Sequence, residues 1–520
     1  MIQKYFFKIA LAFIIMLFIA GCGDDTPLSG DETEKELPSI TSAVVSIPIE
    51  KIRTLNPVLS LDEDAYFLNN LVYEGLFALN KNLEAEGALA ESCEYQGGGA
   101  LLIRVKKGVL WQDGESFSAQ DVKFSVDAYQ SVPTNLRGSY GPAAALIKYA
   151  KVIDQETVLI QFADENNASL ENLTFPILPA HKYKKPGDLA RAEKGFIPLG
   201  TGPYWISNFE ANREITLSGN PFYKKDIPKN ILHFKIMPKR EEAVTLFDIG
   251  EISITFLKDI DRSTLIEDKA VTVVPFISNE AEVLGFNFNH GALQNRDVRK
   301  AIAHAIDNKS ILETCYYSSG VLNDNIYYPG YMEIESEGPL YGYDINKAKE
   351  LLKSSGFEGL SLNLIFNSEN QARNLAAQII KSGLEKAGIS VNLIPLIKDE
   401  YDMRLRKGEF DLYLGGFRFN ENYDLRPLLY TGGALNFIRY SDIEMDMLLD
   451  KMQQGLMTDE KRKTFETLHD YYKNEIPYYC LLYKTYGFAA TTGLTGEIAP
   501  VFYNVYNGCE SWRVTGVKPE

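Results

Sequence analysis

One stretch constrains the fold more than any other: Leu360 to Leu414 alternates strand-like and helix-like segments. Leu360 to Phe366 reads as a strand, and Ile389 to Ile394, rich in β-branched residues, as a second. Between them Gln371 to Ala387 sets Leu375, Ala376, Ile379, Ile380, Gly383 and Leu384 on one wide stripe, with Gly388 as a C-terminal stop. Glu400 to Lys407 gives a second short helix ended by Gly408, and Phe410 to Leu414 a third strand. This order and spacing predict βαβ units with a parallel sheet. Ligands of such sheets sit beyond the carboxyl ends of the strands, here Asn367-Ser368 and Gly415-Gly416-Phe417-Arg418. The two glycines either let the backbone approach a ligand or permit a tight turn, and the sequence leaves both open.

The flanking sequence extends the pattern. Val298, Ala301, Ile302, Ala305 and Ile306 form another helical stripe, and Asp344 caps a helix carrying Ala348, Leu351 and Leu352, closed by Gly356. The first half is richer in strands: Leu101 to Val105 is one, and Asp113-Gly114 is a turn. Ser118-Ala119-Gln120-Asp121 then reads as a capping box opening a helix with Val122, Val126 and Tyr129. A chain of 520 residues exceeds one hydrophobic core, so two or three domains with at least two α/β lobes are expected. The 30 Tyr and 28 Phe are spread throughout and are mostly core.

The first residues bear on compartment. Lys4 and Lys8 precede the apolar run Ile9 to Phe18, shorter than the about 20 residues a membrane span needs. It reads as the core of a secretory signal. The run ends in Ile19-Ala20-Gly21-Cys22, which resembles the lipobox of bacterial lipoproteins and marks Cys22 for acylation. Gly23 to Leu37 is acidic, with Asp24, Asp25, Asp31, Glu32, Glu34 and Glu36, and reads as a tether. As a coil it reaches roughly 20–25 Å. No later run is apolar enough to span a membrane, so the mature chain is expected to be soluble apart from its lipid.

The formal charge of −17 argues against nucleic acid, whose phosphates demand cationic patches. Cys93, Cys315, Cys480 and Cys509 form no Cys-x-x-Cys, and Cys93 reads as a buried free thiol. The histidines, His181, His233, His290, His304 and His469, are scattered, and there is no His-Glu-x-x-His, Gly-x-Ser-x-Gly or P-loop. No cofactor or metal is indicated. A pair of carboxylates for glycoside hydrolysis stays open, because such groups need only meet in space.

Leu110-Trp111-Gln112-Asp113-Gly114-Glu115-Ser116-Phe117-Ser118-Ala119-Gln120-Asp121-Val122-Lys123-Phe124-Ser125 resembles the signature of family 5 solute-binding proteins, the dipeptide and oligopeptide receptors of ABC importers. Other blocks agree in order: Thr54-Leu55-Asn56-Pro57, Tyr73-Glu74-Gly75-Leu76, Leu89-Ala90-Glu91-Ser92, Gly200-Thr201-Gly202-Pro203-Tyr204 and Arg299-Lys300-Ala301-Ile302-Ala303-His304-Ala305-Ile306-Asp307. Trp111 and Phe124 also read as core, Tyr73 as packing and Asp121 as a helix cap, so these blocks identify the fold without marking a site.

The resemblance implies an α/β, two-lobed fold of the periplasmic-binding-protein type II kind with an inserted subdomain. Residues 1–21 would be the signal and 22–38 the lipidated cysteine and tether. Lobe I would comprise 39–78, 200–282 and 487–520, with 79–199 inserted, and lobe II 283–486, the chain crossing near Phe286 and Tyr486. It further implies a monomer on the extracytoplasmic face of the cell membrane, capturing a small ligand, a peptide by preference, for an ABC permease. In this family the peptide's α-amine pairs with an aspartate that follows a Gly-Trp at a lobe II strand end. Here the tryptophan is Phe417 and the aspartate's position is Asn420. An amide cannot neutralise a buried ammonium. Either Glu421 or Asp424 takes the role, or the ligand lacks a free amine. Arg418 either holds a carboxylate or is a solvated arginine. The candidate ligand contacts are thus Asn367, Gly416, Phe417, Arg418, Asn420, Glu421 and Asp424. The alternatives are a non-peptide solute (oligosaccharide, nickel complex or haem), a surface receptor without transport, and a secreted hydrolase.

Overall fold

The helical stripe at 371–387 folds as its periodicity dictates: the helix runs Gln371–Ala387, Asn370 caps it by accepting from the Arg373 amide, and Gly388 ends it at φ 96°. Its neighbours are Ile345–Ser355, capped by Asp344 and closed by Gly356, and Lys398–Lys407, closed by Gly408. The computed structural model describes residues 41–42, 44–192, 194–239, 242–258, 271–334, 340–454 and 458–515. The expected signal, Cys22 and the tether lie outside them.

The strands Ser361–Asn367, Ser390–Leu396 and Leu412–Arg418 are parallel, as βαβ connections require. The sheet they belong to is mixed, however. Its seven strands include Ile254–Leu257, Val271–Phe286 and Tyr478–Thr491, joined antiparallel. Helices cover the parallel part and bury Leu364, Ile380 and Leu414 with Ile302 and Leu284 in one core. A second, strongly aromatic core holds Tyr327, Tyr331, Tyr413, Phe419, Tyr423, Phe465 and Tyr483.

A third core gathers two further sheets. One has four strands, Val44–Glu50, Ile231–Met237, Glu214–Gly219 and Tyr204–Glu210. The other, antiparallel throughout, is Ala90–Gly97, Ala100–Val105, Thr157–Phe162 and Ile147–Val152. Helix Ala119–Gln130 packs beside it behind the expected capping box of Ser118 and Asp121. Trp111 and Phe124 are buried here with Val45, Phe234 and, from the far end of the chain, Trp512. Gly200 and Gly202 have a steric reason: a Cβ on Gly200 would lie 1.9 Å from the Val72 carbonyl oxygen, and one on Gly202 2.8 Å from that of Leu71. Cys93 is free, as expected, but half-buried, and the packing around it pushes its thiol up to about 12.

Val271–Phe286 and Tyr478–Thr491 run beside each other from Val271↔Thr491 to Gly285↔Tyr478, with the register shifting between Ile277 and Ala281. On one side of that bulge Phe276, Tyr486 and Phe488 join the core of Val45 and Trp512. On the other, Ala281, Val283, Tyr478 and Cys480 join the aromatic core. Both strands are continuous across the change, and Phe286 lies at the end of its strand, buried with Leu284 and Leu364.

Candidate functional site

The expected strand at Phe410 to Leu414 starts later and runs further, over Leu412–Arg418. Gly415, Gly416, Phe417 and Arg418 are therefore ladder residues opposite Val283, Glu282, Ala281 and Glu280. Neither glycine has a left-handed backbone. What they supply is room for other parts of the protein. A Cβ on Gly415 would lie 2.5 Å from Tyr401 Oη, and one on Gly416 2.8 Å from both the Ala281 carbonyl oxygen and Arg373 Nη2. Arg373 is there to hold Glu282, which is 2 % exposed, through Nε at 2.9 Å and Nη2 at 3.1 Å. Sequence reasoning missed this pair, since only the sheet brings the two residues together.

The remaining candidates lie on this strand, in the loop after it and on the neighbouring strand, and they fare differently. Asn420 is exposed. Phe417 packs on Tyr478, with ring centroids 5.6 Å apart. Arg418 donates through Nε and Nη2 to Glu280 Oε1 while its side chain stays 66 % exposed. Asp424 is fully engaged: Arg426 Nε meets its Oδ1 at 2.9 Å and Nη2 its Oδ2 at 2.7 Å, a bidentate pair. Asn367 lies at the carboxyl end of the neighbouring parallel strand, where its Oδ1 accepts from the Glu369 amide at 2.9 Å.

Glu421 differs from all of these. Its Oε1 accepts from the Tyr66 hydroxyl, 355 positions earlier in the chain. Tyr66 projects from helix Glu63–Val72, whose first turn carries Glu63 and Asp64 in keeping with the helix dipole. Its ring stacks on Tyr140, centroids 5.1 Å apart, and the Tyr140 hydroxyl donates to Asn70 Oδ1 at 2.9 Å. Asn70 in turn donates to the Tyr503 carbonyl at 3.1 Å. Burial pushes the Glu421 carboxyl up to about 7, opposed only by the Tyr66 hydrogen bond, and among the described residues no cation contributes. Nothing in the sequence near Tyr66, Tyr140 or Asn70 signals this role.

Two cavities of about 560 Å³ each open on the surface. One, lined by Asp164, Asn166, Asp424, Arg426, Tyr430 and Asp450, adjoins the loop. The other lies over the capping box, between Asp121, Phe124, His181 and Tyr183. Among the described residues no group of three His, Cys, Asp or Glu side chains is placed to hold a metal ion, and no helix is long and apolar enough to cross a membrane.

The fold is a mixed α/β body with an extra subdomain, as in solved solute-binding structures. Residues 84–434 match the bacterial extracellular solute-binding proteins, family 5 (middle region), and the chain belongs to that family, whose members bind solutes and are not enzymes. It is 24 % identical over 542 residues to the oligopeptide-binding protein AppA of Bacillus subtilis (strain 168), covering 97 % of each chain. To the glutathione-binding protein GsiB of Escherichia coli (strain K12) it is 24 % identical over 469 residues, covering 85 % of this chain and 89 % of the other. Among solved structures, the ABC transporter substrate-binding protein CtaP of Listeria monocytogenes shares the fold with a TM-score of 0.74 at 20 % identity, over 92 % of this chain and 100 % of the other.

Proposed function

We propose that the chain is the capture receptor of an ABC importer, and that it takes peptides by their free α-amine, with Glu421 as the counter-ion. The observation that carries this reading is the contrast within one loop. Asp424 is already neutralised by Arg426, whereas Glu421 has a hydroxyl partner and, among the described residues, no cation at hand. A ligand ammonium supplies the missing charge, and the raised carboxyl then ionises to meet it. The relative named for oligopeptides, aligned over almost its whole length, supports the ligand class. In this reading two lobes close over the peptide. They are 39–78, 200–282 and 487–520 on one side, with 79–199 inserted, and 283–486 on the other. Closure follows because ligand contacts made only in the closed form stabilise it over the open one. The permease then receives the loaded form, and a lipid on Cys22 keeps the receptor at the extracytoplasmic face.

Calorimetric titration with a mixed tripeptide library tests the site. Glu421→Gln is expected to cost about 2–5 kcal/mol of binding and Asp424→Asn about 1 kcal/mol or less. Equal, small losses in both would discard the amine reading. Native mass spectrometry of the purified receptor would identify the solute it retains. For the anchor, Cys22→Ser should abolish fatty-acid labelling and detergent partitioning, and unchanged labelling would refute lipidation there.

A further inference from the structure

Residues 164–173 form a strap between the site loop and a distant helix. Its two 3₁₀ turns, Glu165–Asn167 and Leu170–Leu173, bury Ala168, Leu170 and Leu173 in the core of Val45 and Trp512. Its polar groups meet residues far along the chain. Asn172 Oδ1 accepts from Asn422 Nδ2 at 3.0 Å, 250 positions later. Arg426 donates through Nη1 to the Asn166 carbonyl at 2.8 Å and through Nη2 to Asn167 Oδ1 at 2.7 Å. Asn422 is the neighbour of Glu421, and Arg426 is the group that silences Asp424. The strap therefore holds the C-terminal flank of the Glu421 position at two points.

The strap is itself pinned. Glu171 meets Lys461, from helix Thr458–Glu475, at 2.6 Å, with each side chain only 4 % exposed. Lys461 also donates to Ser169 Oγ at 3.3 Å, and the Ser169 hydroxyl donates to Glu171. A buried pair of this kind is a poor source of stability, because taking two charges out of water costs about what their attraction returns. What it adds is definition of position. Any displacement leaves a naked buried charge, so the strap has one seat, where an apolar contact would tolerate several.

We propose that Lys461 and Glu171 are positioning residues for the ligand site, acting through the 164–173 strap on Asn422 and Arg426. In that arrangement Glu421, and not Asp424, is presented to a cation. This rests on the amine reading above and deepens it: selectivity for a free amine is set in part by a charge pair that touches no ligand. The same contacts would also arise if the pair served only to attach the strap to the body, and the two cases differ in what Lys461→Met does to the ligand site.

The test uses the full chain and four variants: Lys461→Met, Glu171→Leu, the two combined, and Asn422→Ala, which leaves the buried pair intact. The first readout is the affinity ratio between a tripeptide library and the same library N-acetylated. Lys461→Met is expected to lower that ratio about tenfold, and Asn422→Ala about threefold. The combined variant, which replaces the pair by apolar groups, should recover most of the loss. The second readout needs no ligand. The Glu421 carboxyl, followed by NMR in the free protein, should shift its midpoint from about 7 by roughly half a unit in Asn422→Ala and Lys461→Met. A parental midpoint and ratio in both overturns the inference, even where Glu421→Gln abolishes binding. If Lys461→Met does not fold, Asn422→Ala decides by the same criteria. A silent Glu421→Gln overturns the amine reading instead, and a shifted midpoint would then still establish the strap's hold on Glu421.

Discussion

Glu171 and Glu421 are each taken up by residues hundreds of positions away, and each accepts from a hydroxyl, Ser169 in one case and Tyr66 in the other. Their charges nevertheless differ. Burial by itself would raise Glu171, but the Lys461 ammonium and its hydrogen bonds outweigh that and hold the carboxyl below the usual range. Among the described residues Glu421 has no such neighbour, and burial carries it up to about 7. A hydroxyl donor thus does not offset the effect of burial on a carboxyl, and a cation does. One region completes its own electrostatics within the chain; for the other, the proposed ligand ammonium would do so.

The comparison is broken most directly at Lys461. Lys461→Met leaves Glu171 buried and uncompensated, and denaturant unfolding should show a loss of about 3–5 kcal/mol. A loss below about 1 kcal/mol would mean that the two glutamates are not different in kind.

The pH dependence sharpens the same contrast, because the two carboxyls act with opposite sign. Glu421 is raised in the folded protein, so between its ordinary value of 4.5 and about 7 the folded state holds more protons than the unfolded one. Its contribution therefore falls as pH rises through that window, by about 1–3 kcal/mol. Glu171 is lowered, so its contribution is present above its ordinary 4.5 and is lost as pH falls through the folded value. Thermal melts of the ligand-free protein should show Glu421→Gln flattening the slope on the neutral side while leaving the acid side alone. A parental neutral slope in that variant would remove Glu421 from the account.

Arg418 is the smallest effect. Its side chain stays 66 % exposed while paired with Glu280, so Arg418→Ala should change peptide affinity by less than about 1 kcal/mol in the same titrations. A tenfold loss would make Arg418 a reader of carboxylates and move the site up the strand.

Local rules were legible where they act alone. The Gln371–Ala387 helix, its caps and the Ser118–Asp121 box follow from periodicity and end chemistry. The strand through Gly415 and Gly416 was not legible, because two adjacent glycines usually signal a turn. Here they answer to Tyr401 and Arg373, whose approach only the folded sheet creates. The loop itself was reached from the family's pattern, and the choice within it was not. Glu421 and Asp424 look alike in sequence, and what separates them is Arg426 on one side and Tyr66, 355 positions away, on the other. Lys461 carries no signal in the sequence, because its partner Ser169 is 292 positions distant.

The core that holds Val45 also holds Trp512, and Thr41 and Ser42 pair with Thr515 and Val514. This has a meaning in time as well as in space. A chain that emerges from its N-terminus, from a ribosome or through a membrane pore, presents Val44–Glu50 early and cannot cover it fully until residue 512 has followed. The core built from residues 284–482 is complete sooner. The usual order, in which the first domain made is the first to fold, is reversed for this core: its earliest segment is covered in full only by its latest.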